Sequence, residues 1–125
     1  MEAAEVYFLK REDVAFAYLF GSRAAGRTSP MSDYDFAVYL TKTPFSEKRF
    51  DILGDLMGLL KTDDIDLVVL NTAPISLRMR ILQKRIILAD NNPYTRHNFE
   101  SLTMRESFDF SKFEAKILQE RYYNG

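Results

Sequence analysis

The stretch Gly21–Leu40, GSRAAGRTSPMSDYDFAVYL, decides the fold. It is entered from an apolar run, Val14-Ala15-Phe16-Ala17-Tyr18-Leu19-Phe20, that stops abruptly at Gly21-Ser22. The run has the length and aromatic content of a buried strand. Ten residues separate Ser22 from Asp33, and Asp33 and Asp35 flank Tyr34 at the start of a second apolar run, Phe36 to Leu40. A small residue directly after a strand lets the backbone turn sharply and lets a ligand approach closely. Ser22 is a good N-cap for a short helix through Arg23-Ala24-Ala25, which Gly26 ends.

Strand, Gly-Ser turn and helix N-terminus together present free backbone N–H groups, a hydroxyl and the positive end of a helix dipole, the elements of an anion site. The acidic pair supplies the opposite charge. In a strand, side chains i and i+2 project from one face, which sets Asp33 beside Asp35 with Tyr34 turned away. Two ionised carboxylates that close repel unless a cation lies between them. Hard oxygen donors with nothing softer nearby point to Mg²⁺, which takes a few carboxylates and completes its shell with water and phosphate oxygens. A phosphate cradle facing such a site describes a nucleoside triphosphate pocket. An Asp-x-Asp alone is ordinarily a solvated strand edge, and a Gly-Ser alone a turn. The joint pattern, phased with two apolar runs, carries the reading.

Gly21-Ser22, the ten-residue gap and Asp33-x-Asp35 resemble the signature of the polymerase-β-like nucleotidyltransferase superfamily. The small size of the chain and the stretch Asp66-Leu67-Val68-Val69-Leu70-Asn71-Thr72-Ala73-Pro74 are similar to the minimal nucleotidyltransferases. Those are the antitoxin halves of bacterial and archaeal pairs whose toxin is a HEPN-domain ribonuclease. The resemblance covers most of residues 14 to 90.

Composition bounds the alternatives. A chain of 125 residues with 46% hydrophobic content is expected to form one domain around one core. Net charge −1 and a pI near 5.8 argue against a protein that grips nucleic acid through many phosphate contacts. Cysteine is absent, which excludes a disulfide framework. No apolar stretch approaches a membrane span, and the start, MEAAEVYFLKRED, lacks a signal-peptide core. A soluble cytoplasmic protein is the expectation, with no direct nucleic-acid or membrane partner.

Taken in order, residues 1 to 11 read as a short helix with Val6, Leu9 and Phe8 facing inward. Strands are expected at 14 to 20 and 34 to 41, with 27 to 32 as loop. Thr43-Pro44 reads as a helix start, with Thr43 as N-cap. Phe45, Ile52, Leu53, Leu56, Met57 and Leu60 then recur at helical spacing over about sixteen residues. Ile65 to Leu70 is unbroken and β-branched, as suits an interior strand. Asp66 is the exception in it, and a carboxylate there needs a partner. Ala73-Pro74 opens another helix with Ile75, Met79 and Leu82 on its buried stripe. Its other sides carry Arg78, Arg80, Lys84 and Arg85, which solvation, an acidic partner or nucleotide phosphates would each satisfy. A short strand from Ile86 to Ala89 follows. Residues 94 to 122 read as a long helix whose scattered apolar side chains, among them Leu102, Met104, Phe108 and Phe110, make it a candidate partner surface. His97 has no Ser or Cys nucleophile to serve and reads as a surface residue.

The fold expected is therefore α/β (α+β): one domain over residues 1–125, with a small mixed sheet and helices packed on it, its core at about 14–90. The superfamily resemblance implies nucleotidyl transfer, with Asp33, Asp35 and Asp66 as catalytic and metal ligands and Gly21, Ser22, Arg23 and Arg27 at the nucleotide phosphates. A solvent-facing role is the alternative for either arginine. It implies ATP as co-substrate and Mg²⁺ as cofactor. The antitoxin resemblance implies transfer of AMP to a tyrosine hydroxyl of a cognate HEPN ribonuclease toxin, in a hetero-oligomer with that toxin. Two alternatives stay open: a binding antitoxin that sequesters its toxin without chemistry, and a nucleotidyltransferase acting on a small molecule such as an aminoglycoside.

Overall fold

The computed structural model describes residues 2–24 and 33–123, the side chains of Ser22, Phe110, Ser111, Phe113, Glu114 and 117–123 excepted. The elements are α1 (Glu2–Lys10), β1 (Val14–Phe20), α2 (Gly21–Ala24), β2 (Tyr34–Leu40), α3 (Phe45–Leu60), β3 (Ile65–Val69), α4 (Ile75–Gln83), β4 (Ile86–Asp90) and α5 (Pro93–Tyr123). A 3₁₀ turn, Leu70–Thr72, joins β3 to α4. The four strands form one sheet in the order β3-β2-β1-β4. β1 runs antiparallel to both β2 and β4, while β2 and β3 are parallel. A parallel pair cannot be joined by a tight turn, and α3 supplies the crossover. The expected mixed sheet with helices on it is what the chain forms.

Helices cover both faces of the sheet, which explains why β1 reads as an unbroken apolar run rather than an alternating one. On one face, Ala17 and Leu19 of β1, Phe36 and Val38 of β2, and Leu67 and Val69 of β3 pack against Ala4 and Phe8 of α1 and Ile52 and Leu56 of α3. On the other, Phe16, Tyr18 and Ala37 pack against Ile81 and Leu82 of α4 and Phe99 of α5. Each fully buried side chain such as Phe8, Ile52 or Leu56 contributes about 1.5–3 kcal/mol. A buried charged cluster closes the second face. Glu100 accepts from the Tyr18 hydroxyl at 2.8 Å and pairs with Arg85 and Arg96, each at 2.8 Å. Arg96 also pairs with Asp90 at 3.0 Å. Burial and donation to Glu100 push the Tyr18 hydroxyl well above the usual phenol range.

Four local expectations are corrected. The inward face of α1 carries Ala4 and Phe8, one turn apart, while Val6 and Leu9 are 43% and 56% exposed. Only that phase brings an aromatic ring onto Phe36, at a centroid distance of 5.9 Å. β3 is an edge strand, not an interior one. Its apolar character comes from Leu67 and Val69, buried under the helices of one face, and the Arg49 Nε–H group caps its open edge by donating to the Leu67 carbonyl at 2.8 Å. The N-cap of α3 is Pro44, one residue later than expected, and no side chain caps the helix. On α4 the buried pair is Ile81 and Leu82, with Ile75 and Met79 only partly covered.

Asn71 gives the stretch after β3 a physical purpose. Its side-chain amide accepts from the Leu40 N–H and donates to the Leu40 carbonyl, both at 2.9 Å. A side chain thus extends the β2–β3 ladder after the backbone has turned away. α1 is locked similarly, by Arg11, whose guanidinium donates to Asp13 at 2.9 and 2.7 Å, with Lys48 adding a third contact to Asp13 at 3.1 Å.

Those partners hold the Asp13 carboxyl well below the usual carboxylate range, Arg11 first. A lowered folded-state value means that this stability is present above the unfolded value of about 3.9 and is lost as pH falls through the folded one. Asp13→Asn is expected to lower unfolding free energy by about 1–2 kcal/mol at pH 7, the pair being only partly exposed. Urea titrations should find that gap narrowing below pH 4, and a gap independent of pH would contradict the ion-pair account.

Candidate active site

The sheet brings one end of three strands together. Phe20, the last residue of β1, is the register partner of Asp35 in β2, and Asp35 is the register partner of Asp66 in β3. Neighbouring positions in register project their side chains from the same face. Asp35 and Asp66 therefore stand side by side on the face covered by α4 and α5, although thirty residues separate them in the chain.

Gly21 completes this corner. Its φ is +76°, a left-handed conformation that side chains disfavour, and a Cβ built there would overlap the Asp35 carboxylate. The glycine is required twice, by the backbone and by the space.

A cavity of about 490 Å³ opens over these groups, lined by Phe20, Gly21, Asp35, Asp66, Val68, Leu77, Arg80 and Lys84. A somewhat larger cavity, about 550 Å³, runs along the free edge of β3 between Phe45, Arg49, Thr72 and Leu77, and it contains no acidic residue. Size is a poor guide here, because the titratable chemistry lies in the smaller cavity. Burial, then the charge of Asp66, then that of Asp33, push the Asp35 carboxyl above the usual carboxylate range. Three negative charges act on one another at this corner.

The expected residues are distributed as follows. Gly21, Asp35 and Asp66 meet at one cavity. Asp33 precedes the first paired residue of β2 and is exposed, so it lies outside the ladder, near enough for its charge to act on Asp35. The face-to-face pair is thus Asp35 with Asp66, and among the described residues no three acidic or imidazole groups enclose a metal by themselves. Arg23 lies elsewhere. Its guanidinium covers the Tyr34 ring at 3.8 Å, and Tyr34 stacks on Phe36 on the face opposite Asp35. Arg23 does not line the cavity. Ser22 is in α2, its side chain outside the described set, and Arg27 lies outside the described residues. Arg80 and Lys84 line the cavity without having been singled out for it. Their i, i+4 spacing on a helix that feeds the strand beside β1 is the signal that would have marked them.

A carboxyl with a raised folded-state value is protonated more readily in the folded than in the unfolded chain. Stability is then lost as pH rises from the unfolded value of about 3.9 through the folded one. Asp35→Asn is therefore expected to raise the melting temperature of the ligand-free protein at pH 7. The advantage should vanish below about pH 3.9, where the unfolded carboxylate is protonated as well. A variant that melts lower than wild type at pH 7 would show that Asp35 is not held against repulsion.

Residues 2–94 match the family model described as polymerase beta, nucleotidyltransferase. No curated protein matches the chain. Several solved structures share its fold. A chain in the crystal structure of a toxin–antitoxin with AMP-PNP is 22% identical, with a TM-score of 0.77 over 96% of this chain and 98% of that one. A chain in the toxin–antitoxin MntA-HepT structure is 20% identical, with a TM-score of 0.69 over 95% of each chain. A third structure holds the tri-AMPylated Shewanella oneidensis HEPN toxin in complex with MNT antitoxin. It matches at 20% identity and a TM-score of 0.70, over 95% of this chain and 94% of that one. At such identities the structural likeness establishes a common fold, whereas the family model spans most of the sequence. The chain belongs to the polymerase beta nucleotidyltransferase family.

Proposed function

We propose that this protein is an antitoxin that transfers AMP from ATP to a tyrosine hydroxyl of a cognate HEPN ribonuclease toxin, releasing pyrophosphate. The observation that carries the reading is the Asp35–Asp66 register pair facing the Gly21 turn across one cavity. Family membership supports nucleotidyl transfer. Similar folds in structures of a HEPN toxin with MNT antitoxin, and of a toxin–antitoxin with AMP-PNP, support the partner and the nucleotide.

The donor set suits Mg²⁺. It consists of carboxylate oxygens alone, it repels itself without a cation, and two protein carboxylates leave positions open for phosphate oxygens and water. Asp35 and Asp66 would hold the ion, with Asp33 nearby adding charge or a water-mediated contact. Bound there, Mg²⁺ neutralises charge on the phosphates during transfer.

The chain's own groups divide the remaining work. The turn at Gly21 lets the triphosphate approach the backbone closely, and Ser22 is proposed to add a hydroxyl donor. Asp66 orients the acceptor hydroxyl and takes its proton. The hydroxyl oxygen then forms a bond to the α-phosphorus, the bond from that phosphorus to the bridging oxygen breaks, and pyrophosphate leaves with the electron pair. Positioning and charge complementarity supply the rate.

α5 offers the surface for a protein acceptor. Its described buried residues, Phe99, Glu100 and Thr103, lie toward its N-terminal end, while Leu102 and Met104 are about half exposed and Phe108 is 60% exposed. The Phe108 ring packs on no core residue among those described, so it is free to be covered by a partner. The net charge of −1 still disfavours a nucleic-acid acceptor.

Toxin incubated with this protein, ATP and Mg²⁺ is expected to gain whole adenylate increments by intact-mass spectrometry and to stay inactive after separation. Unmodified toxin that regains ribonuclease activity once separated would favour sequestration instead. Asp66→Asn should lose transfer by roughly a hundredfold or more, the range for a proton-accepting group, a larger loss than any in ATP affinity. Phe108→Glu should weaken toxin capture and leave the melting temperature unchanged. Early melting of that variant would mean the ring belongs to the fold.

A further inference from the structure

Four basic residues lie on or just after α4, and the structure separates them into two pairs. Arg78 donates to the Asn71 carbonyl at 3.1 Å and covers the Phe99 ring at 5.4 Å. Arg85 donates to the Leu82 carbonyl at 2.6 Å, pairs with Glu100 and covers the Tyr18 ring. Both are committed to the fold. Arg80 and Lys84 are exposed and line the carboxylate cavity. Among the described residues neither has an ion pair or a side-chain hydrogen bond.

Their place along the cavity is set by the sheet. Ile86, two residues after Lys84, is the register partner of Leu19, which is two residues before Gly21. Lys84 thus reaches the cavity on the side of β1 and its glycine turn, away from β3 and Asp66. Arg80 stands one helical turn earlier on the same helix face. A ligand matching this cavity meets two carboxylates at one wall and two cations at the other. A metal-bound polyphosphate has that charge distribution, because its reacting end associates with the cation held by carboxylates while its outer oxygens remain anionic.

We infer that Arg80 and Lys84 hold the β- and γ-phosphates of the nucleoside triphosphate and so make the pocket select triphosphates over monophosphates. This rests on the nucleotidyl-transfer reading. The two side chains also receive the growing charge of departing pyrophosphate. Arginine contributes a planar fork for two oxygens, and lysine a compact point charge.

The test is calorimetric binding of ATP and of AMP, each with Mg²⁺, to wild type and to the R80Q/K84Q and R80K/K84R variants. Because both positions are exposed, melting temperatures should be unchanged. Lys84→Gln alone carries the comparison if the double variant melts early. R80Q/K84Q is expected to lose ATP affinity by roughly tenfold or more, the scale of one or two charge-assisted contacts, while AMP affinity is unchanged. R80K/K84R should restore most of the loss, since it keeps both charges. Unchanged ATP affinity in R80Q/K84Q, equal losses of ATP and AMP, or failure of R80K/K84R to rescue would each overturn the inference. If wild type binds ATP and modifies its toxin while R80Q/K84Q does both equally well, this inference fails alone. If wild type binds no ATP, nucleotidyl transfer and this inference fail together.

Discussion

Two carboxylates held against their mutual repulsion set the terms for the rest of the molecule. Asp35 and Asp66 are neighbours because β2 and β3 pair in parallel with those positions in register. A slip of one residue would turn one of them to the opposite face and part the pair. The register is therefore a functional quantity, and several features serve to fix it. Phe36 and Val38, Leu67 and Val69 bury one face against α1 and α3. Asn71 clamps the far end of β2 through both polar groups of the Leu40 backbone. Arg49 closes the outer edge of β3, where a further strand would otherwise be free to add. The corner that bears the carboxylates contributes little to stability, and burial of Asp35 beside two other negative charges works against it. The apolar faces offset that cost.

Charge is segregated by role. The Arg11–Asp13–Lys48 group ties α1 and α3 to the start of β1, at the sheet end away from Gly21. The Tyr18–Glu100–Arg85–Arg96–Asp90 group ties α5 to β1 and β4, and its charged members pair with one another. Buried ions arranged this way are expensive to break and poor at binding ligands, since each already has its partner. Around the carboxylate cavity lie two acids in register and two cations on the facing helix. A basic helix face that reads uniformly in the sequence is thus half scaffold and half site.

Much of this was legible in the residues. β1 has the expected bounds and α3 the expected length, since an unbroken apolar run and a recurring apolar stripe are local signals. The Gly-Ser turn and the acidic positions were also identifiable, because the spacing G-S-x₁₀-D-x-D is itself a sequence property. Less could be read where the outcome depended on what lies opposite. Val6 and Leu9 are as apolar as Ala4 and Phe8, and only the sheet decides which pair is buried. β3 looks interior because Leu67 and Val69 are buried under the helices of one face, a condition that hydrophobicity cannot distinguish from having strands on both sides. Arg23 seemed placed for phosphate, yet the ring of Tyr34 takes it to the other face.

By itself, then, the sequence determined the order of strands and helices, the turn at Gly21 and the identity of the acidic residues. Propensity, capping and spacing act over a few neighbouring residues and need no partner. The tertiary structure decided the register in which Asp35 stands beside Asp66, and that Arg80 and Lys84 line their cavity while Arg78 and Arg85 do not. Those relations join residues remote in the chain. They are set by strand register and helix placement, which follow from how the two apolar faces of the sheet are buried.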